Sequence, residues 1–211
     1  CIRDREMTKI LTGENVHSII DQMLSLGVLD RVFENMHVEL PPELSTEYLV
    51  NLALLFRNSE LSGEELASKM RDLLVLSKND LLEISMMHEC RYLSLDVTIE
   101  SARRFHAAVP DRRKGLIMSY LEKNGIETEK FEKLFRSINP EDLILKPMVD
   151  GERLANVTGL IPGPRLGRLK GWLHRRQIEE ASRTEEDVLQ FLSDIDWKSS
   201  DYQEWKALSW P

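Results

Sequence analysis

The sequence predicts an all-α protein: an antiparallel multi-helix body followed by a smaller helical tail. Three observations carry this expectation. Apolar residues recur three and four positions apart through most of the chain, the period of one helix face. Serines sit just ahead of several of these runs, and glycine, proline and asparagine pairs sit between them, where helices start and stop. No segment sustains the alternation of a half-buried strand, and Val97-Thr98-Ile99 is too short to count as one.

The elements follow in order. Asn15 to Leu26 places Val16, Ile19, Ile20, Met23 and Leu24 on one face, and Gly27 ends the helix. A short helix is expected from Leu29 to Phe33. Pro41 and Pro42 break the chain, and Ser45-Thr46-Glu47 opens a helix with Leu49, Leu52, Ala53 and Phe56 as its buried stripe. Ser62 followed three residues later by Glu65 is a capping box, starting a helix through Leu66, Met70, Leu73 and Leu74. Ser77 caps the next, which runs through Leu81, Ile84, Met87 and Cys90. Further helices are expected over 96–108, 111–124 and 127–138, separated by Pro110, Asn124-Gly125 and Asn139-Pro140. The domain reading is a junction segment at 1–12, a helical body at 13–139 and a helical tail at 140–211. Helix pairs recur, but with no fixed period.

The bulk numbers bound the function. The chain has 211 residues, 42% hydrophobic and 30% charged, with a formal net charge of −8. An acidic total does not mark a nucleic-acid binder, so any such role must rest on a local patch. Cys1 and Cys90 lie far apart with no C-x-x-C, which fits free thiols and an intracellular setting, cytoplasmic or organellar. No apolar run approaches the roughly 20 residues that span a bilayer, so no membrane partner is expected. The start, CIRDREMTKIL, is charged, unlike a signal peptide, and lacks an initiator methionine; a fragment or processed product of a longer reading frame is expected.

Candidate chemistry is sparse. The five histidines, His17, His37, His88, His106 and His174, show no ligand spacing. His88 and Cys90, two apart on a helix, face different sides. Asp194-Ile195-Asp196 has the aspartate-x-aspartate spacing of two-metal nucleotidyl transfer, but it ends a helix rather than lying on a strand, so a solvated helix end is the expectation. There is no G-x-S-x-G, no P-loop and no dinucleotide fingerprint.

Charge concentrates at 146–183. Eight basic residues against four acidic ones make this segment +4, leaving −12 for the remainder. Within it lies GLIPGPRLGRLKGWLHRR, 159–176. Gly163 is placed to cap a helix and Pro164 to be its first residue, where a missing N–H is harmless. Such a start offers free N–H groups and a positive dipole end to an anion. Arg165, Arg168, Trp172 and Arg175 form one stripe, and Leu166, Leu169 and Leu173 form a core-facing one. Gly163, Gly167 and Gly171 form a third, bare enough for close approach by a neighbouring helix or a nucleic-acid backbone. Arg103, Arg104, Arg112 and Arg113 lie in a mixed-charge region that reads as solvated helix face. Trp197 reads as packing, and Trp205 and Trp210 as packing or a partner surface.

VDGERLANVTGLIPGPRLGRL, 149–169, resembles the tail signature of class II tRNA nucleotidyltransferases, the CCA-adding enzymes and related bacterial poly(A) polymerases. TEEDVLQFL, 184–192, resembles the short helix that closes that tail. REMTKILTGENVHSIIDQMLSLGVLDRVF, 5–33, is similar to the family's neck-to-body junction, with Glu6 and Lys9-Ile10-Leu11 carrying the match. The resemblance implies a body and tail that grip the elbow and acceptor region of tRNA through backbone contacts. It places a catalytic head and nucleotide-templating neck ahead of residue 1, supplied in cis or in trans, with Mg2+ and CTP or ATP bound there and no cofactor or metal in this chain. It implies no catalytic residue here, an inactive chain by itself, and RNA contacts from Arg153, Gly163, Arg165, Gly167, Arg168, Lys170, Arg175 and Arg176. The alternative is an α-helical protein-interaction scaffold without RNA binding.

Overall fold

A computed structural model describes residues 2–34, 36–143 and 146–211, with the side chains of residues 2–4 excepted. Among them are thirteen α-helices, two short 3-10 turns and no strand, so the all-α expectation holds. The chain divides into two compact units: one holds the residues up to Leu95 together with Asp111–Thr128, the other Asp96–Pro110 together with Glu129–Pro211.

In the first unit, α1 is Ile2–Thr12, α2 Val16–Ser25, α3 Val28–Val32, α4 Tyr48–Leu54, α5 Gly63–Leu73 and α6 Lys78–Glu89. Gly27, at φ 65°, supplies the left-handed turn between α2 and α3. The core gathers Met7, Leu11, Ile20, Leu29, Phe33, Leu52, Phe56, Leu66, Met70 and Ile84. Phe33 meets Phe56 edge to face at 5.0 Å. α4 is buried on all sides, not only along the expected stripe. This is possible because Asn51, fully buried, satisfies itself: its amide donates to Leu11 O and Ser45 O, both at 2.7 Å, and its carbonyl accepts from Ser45 N–H at 2.7 Å. That side chain fastens α1 to α4.

The Ser62–Glu65 capping box forms as expected, and Ser77 forms a second with Asp80. α5 and α6 approach so closely that a Cβ on Gly63 would lie 2.3 Å from Ser85 O. His88 is fully buried and donates from Nε2 to Leu61 O at 2.9 Å; burial holds its pKa below the ordinary value. Burial pushes the Cys90 thiol up to about 12.

The second unit begins with α7, Ile99–Ala108, capped by Thr98. α8, Asp111–Lys123, belongs to the first unit. Then come α9 Glu129–Ser137, α10 Pro140–Leu143, α11 Gly151–Thr158, α12 Pro164–Glu180 and α13 Glu185–Gln190. The units divide after Leu95, Pro110 and Thr128. Phe105 of α7 packs on Phe131 and Phe135 of α9 and on Trp210 near the C-terminus, with ring centroids 5.6, 5.7 and 4.6 Å away. These contacts tie α7 and α9 to the tail. A second cluster joins Val149, Leu154, Leu166, Leu169, Leu173, Val188 and Trp205. Trp205 and Trp210 are both buried, which resolves their role as packing. No helix among the described residues is long and apolar enough to cross a membrane.

Candidate nucleic-acid interface

The candidate site is the α11–α12 hairpin. Asp150 caps α11 by accepting from Arg153 N–H at 2.8 Å, and Gly159, at φ 72°, closes it in the left-handed conformation. The connecting turn carries Ile161, 83% exposed. Gly163 is the extended N-cap of α12 and Pro164 its first residue. No side chain caps this end, so helix geometry leaves the N–H groups of Arg165 and Leu166 pointing outward. Leu166, Leu169 and Leu173 are buried as the heptad-like spacing requires.

The glycines divide into two kinds. A Cβ at Gly167 would meet nothing within 4 Å, and one at Gly163 would only graze Ile161 O at 4.0 Å. Both are open to an approaching group. Gly171 instead faces Ala207, whose Cβ would lie 3.3 Å from its own. The bare strip therefore serves internal packing at its C-terminal end and is uncovered at its N-terminal end.

The arginines are mostly engaged within the protein. Arg165 donates from Nη1 to Trp197 O at 2.7 Å and Lys198 O at 3.3 Å, and from Nη2 to Ser200 O at 2.9 Å. Its guanidinium also lies 5.4 Å from the centroids of both Tyr202 and Trp205. Arg168 donates to Gln203 O at 3.4 Å. Arg175 pairs with Glu179 at 2.5 Å. Arg176 reaches Glu180 at 3.3 Å and Asp194 at 3.5 Å, and lies 5.0 Å from the Phe191 ring. Arg153, about half exposed, pairs with Glu185 at 2.5 Å, and Arg183 with Asp142. Lys170, half-buried, makes no ion pair or side-chain hydrogen bond among the described residues. It lies seven positions after Gly163 and three after Gly167, on the same helix face.

Local sequence spacing puts Glu179 and Glu180 one turn after Arg175 and Arg176. It does not show Glu185, Asp194 or the carbonyls of 197–200, which come from segments folded back across α12. An open recess of about 550 Å³ beside α12 is lined by Arg175, Arg176 and Lys206 but also by Glu179, Asp194 and Glu204, so it selects no charge. Asp194 thus accepts from Arg176, and Asp196 accepts from Ser199 N–H at 3.1 Å. The aspartate-x-aspartate pair is a helix-end turn. Among the described residues no group of three or more His, Cys, Asp or Glu is placed to hold a metal ion. Arg103 donates to Asp142 O at 3.1 Å, and Arg112 and Arg113 flank Glu83 at 3.7 and 3.6 Å. No family model, curated protein or solved structure matches this chain.

Proposed function

We propose that this chain is the RNA-binding body and tail of a CCA-adding tRNA nucleotidyltransferase, holding tRNA by its backbone while a separate head domain adds nucleotides to the 3′ end. The observation that carries the reading is the uncapped start of α12. Within the segment that resembles the family's tail signature, Gly163 and Gly167 are open to solvent, two backbone N–H groups point outward, and Lys170 stands on the same face. A phosphate can approach the glycines without meeting a side chain, accept from the N–H groups and meet the helix dipole's positive end. Backbone contact of this kind needs local charge and little base readout.

Arg165, Arg168, Arg175 and Arg176 then hold the tail together rather than supply countercharge, and Arg153 contacts RNA only if it leaves Glu185. The same engagement favours the second reading, an α-helical interaction scaffold. Binding of the chain to tRNA across a salt series, with CTP and ATP incorporation assayed alongside, separates the two. The RNA reading expects affinity that falls steeply with salt, and no incorporation. The scaffold reading expects no binding at low salt.

A further inference from the structure

We propose that Tyr92, backed by Arg91, is a stacking platform for an unpaired RNA base, a role that rests on the RNA-binding reading. Among the described residues Tyr92 is the one exposed aromatic, at 72%. Every other tyrosine, phenylalanine and tryptophan is buried or half-buried. The Arg91 guanidinium lies 4.9 Å from the Tyr92 ring centroid and covers one face. That guanidinium is itself fixed, donating from Nη1 to His88 O at 2.9 Å. The backbone on either side of the ring is held as well: Asn124 Nδ2 donates to Arg91 O at 2.8 Å, and Leu93 N–H donates to Cys90 O at 3.0 Å.

The result is an exposed aromatic ring in the turn just after α6, with a cation over one face. A nucleobase stacks on such a plane whatever its sequence, and the cation behind the ring adds to the attraction. No other large apolar residue in the turn 90–95 is exposed. A single flat ring suits a single flat base.

The test uses the full chain, a tRNA transcript and two variants, Tyr92→Phe and Tyr92→Ala, each checked for wild-type ellipticity. Tyr92→Phe keeps the ring and binds within about twofold of wild type. Tyr92→Ala binds roughly five- to a hundredfold more weakly, the range for losing one stacked base. Its salt dependence stays that of the wild type, because no phosphate contact is lost. Wild-type binding with an unchanged Tyr92→Ala affinity overturns the platform and leaves the RNA reading standing. Failure of the wild-type chain to bind tRNA at low salt overturns the reading itself and the platform with it.

Discussion

Arg165→Ala separates a structural arginine from an RNA-binding one. The wild-type guanidinium binds the carbonyls of Trp197, Lys198 and Ser200 and sits over two aromatic rings. Hydrogen bonds from a charged donor contribute roughly 1.5–3 kcal/mol each, and a cation over a ring roughly 0.5–1 kcal/mol. Arg165 is half-buried, so water replaces part of what is lost, and the contacts are not additive. A net cost of about 2–3 kcal/mol is expected. For a chain of this size that lowers the transition by roughly 5–10 °C. All four tryptophans, at 172, 197, 205 and 210, belong to the second unit, so thermal unfolding followed by tryptophan fluorescence reports on the affected region. Arg165→Lys does not rescue it, because a single ammonium cannot span the three carbonyls. An unchanged transition accompanied by lost tRNA affinity refutes the reasoning and returns Arg165 to the RNA interface.

Other substitutions test neighbouring parts of the account. Gly63→Ala drives a Cβ to 2.3 Å from a backbone oxygen of α6 and costs about 1–3 kcal/mol or more in urea unfolding. Wild-type stability there means that α5 and α6 are farther apart. Gly167→Ala meets open space and removes a flexible residue from a helix interior, so it raises stability by about 0.5–1 kcal/mol, whereas Gly171→Ala, pressed on Ala207, gains little. Equal gains at both positions contradict the division of the glycine strip. His88 is buried and neutral with its pKa held below the ordinary 6.5, so the unfolded chain binds the extra proton first. Stability is full above about pH 6.5 and falls as the pH drops below it. Denaturant midpoints between pH 7.5 and 5 check this, and a His88→Gln variant with the same slope assigns the effect elsewhere.

What was legible in the sequence was local. The Ser62–Glu65 box, the turn at Gly27, Pro164 at the start of α12 and the Leu166–Leu169–Leu173 stripe are fixed by residues within one or two turns of each other. The division into units was not legible, because it depends on Phe105 meeting Trp210, a contact between rings a hundred residues apart that no periodicity records. The site was half legible. The glycines and the proline announced an open helix start. The arginines announced charge, but not that the segment at 197–205 folds back and takes up Arg165 and Arg168. Asn51 lies outside the apolar stripe of α4, no local pattern marks it for burial, and only its three partners show why it is buried.

If the start of α12 holds an RNA phosphate, as proposed, Lys170→Ala changes how tRNA binding responds to salt. The measurement is the slope of log affinity for tRNA against log salt concentration, for wild type and variant. Steep salt dependence is expected in the wild type and a slope shallower by about one in the variant, the signature of one lost phosphate contact. A variant with the wild-type slope places the RNA elsewhere, and a wild-type chain that does not bind at low salt contradicts the claim outright.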